Sequence, residues 1–176
     1  MGTARRLGRI LFYITRVAAW LYLATGLYAF VAFMAYRLSP SAWVPLEIFE
    51  PGSFHIFYPF TRTPFLIGDD TNIYMFTMLA ILFGYGIFLW LLSKVFYAFS
   101  REKLFTPKSV KDLSRFYLLN LVVPLSILLF YFFIGESLAD IVVITCLHFI
   151  IGIFAYFMAA MFRQGLLLQE EQDLTL

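Results

Sequence analysis

Apolar residues in this chain gather into four long stretches, at residues 10–36, 73–99, 116–134 and 139–162. About 20 mostly apolar residues are enough for a helix to cross a bilayer, and each stretch reaches that length. Arg16 interrupts the first stretch near its start, where a long side chain is expected to snorkel to the interface. The connections are unequal. Residues 37–72 form a long loop, 100–115 a polar linker, and 135–140 (Gly-Glu-Ser-Leu-Ala-Asp) a tight turn between antiparallel helices. The pattern predicts an all-α integral membrane four-helix bundle, a single domain over residues 1–176, with helical extensions beyond the membrane.

Composition reinforces this reading. Hydrophobic residues make up 62% and charged residues 14% of the chain, and mean hydropathy is +0.84. Soluble domains run at roughly 45–50% apolar and about 25% charged, so the apolar surplus must face lipid. Arg5, Arg6 and Arg9 resemble the start of a signal peptide, but the apolar stretch behind them is too long for one. The single cysteine, Cys146, leaves no basis for a disulfide framework or a cysteine metal site.

Charge placement sets the expected orientation. Arg5, Arg6, Arg9 and Arg16 lie at the start, Lys94, Arg101, Lys103, Lys108, Lys111 and Arg115 around the linker, and Arg163 after the last stretch. Only Arg37 and Arg62 fall on the other side. Lys and Arg are retained on the cytoplasmic side, which puts both termini in the cytoplasm.

Five prolines (Pro40, Pro45, Pro51, Pro59, Pro64) and seven aromatics (Trp43, Phe49, Phe54, Phe57, Tyr58, Phe60, Phe65) crowd the 37–72 loop. Proline breaks helices and aromatic rings favour the headgroup zone. A compact interfacial cap is expected, with short extended pieces at 54–58 and 63–67; an anchor is favoured over a ligand sensor. In the linker, Thr106 suits a helix N-cap and Pro107 the first helical position. Val110, Leu113, Phe116 and Tyr117 follow at helical spacing. The third helix should therefore begin near 107 and show Lys108, Lys111 and Arg115 outward. The tail, 166–176, should extend the fourth helix and fray.

Candidate chemistry is sparse. His148 shares a helical stripe with Gly152, Ala155 and Ala159, and small residues permit close helix approach; it should face protein. A proton relay is the sharper reading, and a buried interhelical hydrogen bond is favoured over it. Pro124 leaves the Asn120 carbonyl without its helical donor, so a kink is expected. The Asn120 side chain should bond across helices or repair the loosened turn. Gly84-Tyr85-Gly86 resembles a potassium-filter string but sits inside an unbroken span, where close packing at Gly84 is favoured. Glu136 and Asp140 belong to a water-exposed turn, and His55 stands without metal-ligand companions. No cofactor is expected, and enzyme chemistry has no foothold. The acids Glu170, Glu171 and Asp173 face the basic linker, with internal pairing the simplest explanation. Alternatively, tail and linker form a docking strip, since Leu174 and Leu176 add apolar contact.

Two segments on this face carry a family resemblance. Leu104-Phe105-Thr106-Pro107, followed by Val110 and Leu113, is similar to the Phe-Thr helix start of the bacterial membrane proteins grouped as domain of unknown function 2975. Leu168-Gln169-Glu170-Glu171-Gln172-Asp173-Leu174-Thr175 is similar to that family's acidic Asp-Leu-Thr close, and Ser109 stands where the family usually has Asn. The resemblance implies four spans in a bacterial inner membrane. It also implies a gene neighbour encoding a small Cro-type helix-turn-helix regulator.

The preferred reading is a non-enzymatic membrane protein that holds such a regulator. Arg101, Lys103, Phe105, Lys108 and Lys111, with Glu170, Glu171, Asp173 and Leu174, would form the docking site. A small transporter or accessory subunit is the alternative. Membrane lipid is a partner on either reading, direct nucleic-acid contact on neither, and a homo-oligomer is compatible with both.

Overall fold

Within hydrocarbon, every backbone N–H and C=O must find its partner inside the segment, which leaves the helix as the local solution for an apolar run. The computed structural model describes residues 2–39, 44–49, 52–135 and 137–174, without the side chains of Asp173 and Leu174. It contains helices α1 (Gly2–Leu38), α2 (Asn72–Ser100), α3 (Pro107–Ile134) and α4 (Ala139–Leu174), and strands β1 (Leu46–Phe49), β2 (Ser53–Phe57) and β3 (Pro64–Asp69). All four helices are long and apolar enough to cross a membrane. Val17, Leu21, Phe76, Phe132, Phe133, Ile150 and Phe154 are each more than half exposed on them. Such surfaces need lipid, and the chain is a multi-pass membrane protein.

Three helices overrun their apolar stretches. α1 has 37 residues and α4 has 36, about 55 Å each at 1.5 Å per residue, against a hydrocarbon core of about 30 Å. The excess lies at the start of α1, the start of α3 and the end of α4. Caps fix the boundaries. Thr71 Oγ1 accepts from the Tyr74 N–H at 3.2 Å to open α2. Thr106, in an extended conformation, accepts from the Ser109 N–H at 3.1 Å, and Pro107 starts α3. Gly135 closes α3 at φ 75°, a left-handed conformation that glycine adopts without steric cost, and its N–H donates to Tyr131 O. α3 runs unbroken through Pro124.

Contacts divide the chain into two compact units. One comprises the chain up to Arg16 and from Phe88 onward; the other comprises Val17–Ile87.

The Val17–Ile87 unit packs a sheet on helix surfaces. The strands are antiparallel in the order β1-β2-β3, with Leu46 opposite Ile56 and Phe54 opposite Gly68. Leu46, Phe54 and Ile56 are buried against Ala29, Ala32, Phe33 and Met75. Phe33 meets Phe54 edge-on at 5.1 Å, and Tyr28 Oη donates to Phe57 O at 2.7 Å. Gly68 is required because a Cβ there would lie 2.9 Å from the Phe54 ring and collide with Tyr74. Pro64 opens β3, an edge strand where its missing donor costs least.

This sheet corrects the all-α class, which holds for the spans alone. The expected extended pieces fall on β2 and β3. β1 is an addition to the expected pattern, because four residues beside Pro45 are too few to show alternation. Close packing also shifts from the expected Gly84 to Gly86. A Cβ at Gly84 would meet nothing within 4 Å, whereas one at Gly86 would lie 2.7 Å from Leu23 Cδ2. Pro40, Trp43 and Pro51 lie outside the described residues.

In the other unit α3 and α4 form an antiparallel hairpin around Leu113, Phe116, Ala155, Ala159 and Phe162, joined by Val95 of α2. A Cβ at Gly152 would sit 2.8 Å from Leu121 Cδ2, and one at Gly8 would sit 3.2 Å from the α2 backbone at Phe96 O and Ser100 N. Glycine at these places lets backbones approach closely.

Phe54 anchors the sheet, so Phe54→Ala is expected to cost about 3–5 kcal/mol. Amide hydrogen exchange in detergent should then speed up across β2 and β3.

Candidate functional site

Two places combine polar chemistry with defined geometry, and both lie in the unit built from the chain ends. The first follows from Pro124. Having no N–H, it cannot donate to the carbonyl of Asn120 four residues earlier. Asn120 is fully buried, and its side chain is used twice. Nδ2 donates to Phe116 O at 2.8 Å, and Oδ1 lies 2.8 Å from His148 Nδ1. With the amide nitrogen committed to a carbonyl, the oxygen faces the imidazole and accepts, so Nδ1 carries the proton. Thr145 Oγ1 donates to Pro124 O at 3.4 Å, and Phe88 meets the His148 ring edge-on at 5.4 Å. The anticipated intramembrane residues thus lie together, with the Asn120 side chain bonding both the carbonyl one turn before it and the imidazole across the hairpin. The stripe Gly152, Ala155 and Ala159 faces protein, in keeping with its spacing.

The Arg16 guanidinium carbon sits 3.8 Å from the Trp90 ring centroid and 5.2 Å from that of Phe12. Aromatic faces attract this weakly hydrated cation, so it stacks on them. Nε is buried without a hydrogen-bond partner.

The second place is the basic end of the same unit. Phe105 crosses edge-on to Phe162 at 5.3 Å, and a Cβ at Gly165 would lie 2.8 Å from its ring. Phe105 is therefore half-buried against α4, and it clamps the linker instead of lying open for a partner. A lone glycine among the bulky residues of this helix end was the available signal. Arg101, Lys103, Lys108, Lys111 and Arg115 are exposed, as are Glu170 and Glu171. Glu170 and Glu171 make no ion pair with the linker among the described residues. Among the described residues the ion pairs are Arg5–Glu102 at 3.3 Å and Arg62–Glu47 at 3.7 Å. Glu170 lies five residues beyond Gly165, about 8 Å along the helix, and makes no ion pair among the described residues. The side chains of Asp173 and Leu174, together with Glu136 and Leu176, lie outside the described residues. His55 stacks on Phe49 at 4.5 Å, and no metal-binding cluster occurs among the described residues.

A family model matches residues 8–176, almost the whole chain. The chain belongs to the family described as protein of unknown function DUF2975. No curated protein and no solved structure matches it. Both segments that carried the resemblance meet α4 in this DUF2975 chain: Phe105 packs on it, and the acidic close continues it to Leu174.

The Asn120–His148 bond should appear as a coupling of about 1 kcal/mol in a double-mutant cycle of Asn120→Ala and His148→Ala, the scale of intramembrane hydrogen bonds. Reversible unfolding in bicelles measures it; strict additivity would show the bond to be inert.

Proposed function

We propose that this protein is a non-enzymatic inner-membrane platform that binds a small helix-turn-helix regulator at its basic end, with both termini in the cytoplasm. The observation that carries the reading is the charged surface at that end. Lys108, Lys111, Glu170 and Glu171 are exposed and make no ion pair among the described residues, while Phe105 holds the linker in place. Exposed cations at the start of α3 and exposed acids at the end of α4 offer a soluble partner charge complementarity, which sets register and encounter rate more than affinity. Holding the regulator at the membrane lowers its free concentration and requires no bond-making. A change in the α3–α4 hairpin would reach the site through Phe162 and Gly165, the residues against which Phe105 rests.

The transporter reading draws less support. His148, Asn120 and Thr145, which a polar path would use, are engaged with one another and with the backbone.

Deleting 166–176 should reduce co-purification of the regulator encoded beside this gene by tenfold or more, about 1.4 kcal/mol. Undiminished capture by the truncated protein contradicts the reading. Gly165→Val, which displaces the Phe105 ring, should weaken capture while every charge remains present.

A further inference from the structure

We propose that a cavity at the basic end of the first unit binds the phosphate-bearing headgroup of an anionic membrane phospholipid. The cavity measures about 570 Å³, and Arg9, Tyr13, Tyr97, Arg101 and Lys103 are among its walls. Gly8, beside Arg9 in the chain, lets α1 and the end of α2 approach closely. Three cations thus converge on one space. The single acid in the wall, Glu102, is held by Arg5 at 3.3 Å, so it does not cancel them. The C-terminus of α2 contributes about half a negative charge, a fraction of what the cations supply. Arg101 lies over the Tyr97 ring, its guanidinium carbon 5.2 Å from the centroid. Stacking of this kind leaves the planar donor edge free for phosphate oxygens.

Depth selects a lipid over a soluble anion. Arg9 immediately precedes the first apolar stretch, and Arg101 immediately follows α2, so the cations stand at the border of hydrocarbon and water. Directly below them α1 exposes Ile10, Tyr13 and Ile14, each more than half accessible. A headgroup phosphate in the cavity would lay its acyl chains along this apolar track, which free phosphate has no means to use. Basic pockets between spanning helices are suited to such headgroups. Arg101 and Lys103 also belong to the proposed regulator site, but lipid binding in the cavity needs no regulator and is tested without one.

The test uses full-length protein reconstituted in vesicles of equal parts phosphatidylglycerol and phosphatidylcholine, followed by native mass spectrometry of retained lipid. Wild type should keep phosphatidylglycerol in preference. Replacing Arg9, Arg101 and Lys103 together by Gln should reduce that preference about tenfold or more. All three side chains are exposed, so folding should persist, checked by circular dichroism. Lys108→Gln with Lys111→Gln, outside the cavity, should leave the preference intact. Equal retention by the triple variant overturns the site, as does an equal loss in the control variant. Displacement of the lipid by millimolar inorganic phosphate would assign the cavity to a soluble anion and overturn it too.

Discussion

Hydrocarbon offers no hydrogen-bond partner, and the organisation of this chain follows from that. Apart from the turn at Pro124, each apolar stretch closes its backbone bonds within a helix, and the side chains of Asn120, Thr145 and His148 find partners there. Asn120 serves the Phe116 carbonyl and the imidazole of His148 with one amide. Arg16 is laid across Trp90 and Phe12. Where the chain leaves the apolar zone, its backbone is free to do otherwise. There it forms a three-stranded sheet, whose inner face is apolar and rests on Ala29, Ala32 and Phe33.

The spans, the caps at Thr106 and Pro107 and the outward faces of Lys108 and Lys111 are legible in the sequence because each rests on local pattern. Length, apolarity and the spacing of a few residues suffice for them. The His148 stripe is legible for the same reason. Contacts between distant segments are not. Nothing near Phe105 says that it will find Gly165, and a glycine in an apolar span does not reveal which neighbour it admits. Gly84 and Gly86 differ only in that respect. β1 is hidden because pairing with β2, not its own sequence, makes it a strand. The stacking of Arg16 is hidden too, because an aromatic partner 74 residues away in the chain leaves no local trace.

The α3–α4 hairpin and the basic end differ in how their polar groups are satisfied. Inside the hairpin, polar side chains pair with each other and with backbone, which suits a rigid scaffold. At the basic end the ion pair Arg5–Glu102 consumes one acid, while several cations and the acids of the α4 extension stay exposed. Charges left unpaired beside a membrane interact with whatever carries the complementary sign, whether lipid headgroup or soluble protein. Phe105 gives that end a fixed shape, and the helical overhang of α4 sets its acids beyond the linker.

The whole account requires lipid to be the solvent of the four helices, with the chain ends on the inner face and the sheet on the outer. Single cysteines at Thr3, Thr61 and Glu171, introduced in a Cys146→Ser background and probed with a membrane-impermeant maleimide, test this most directly. Thr61→Cys should label on intact spheroplasts, and Thr3→Cys and Glu171→Cys only after the membrane is opened. Labelling of either end from outside, or protection of Thr61→Cys until lysis, would contradict it.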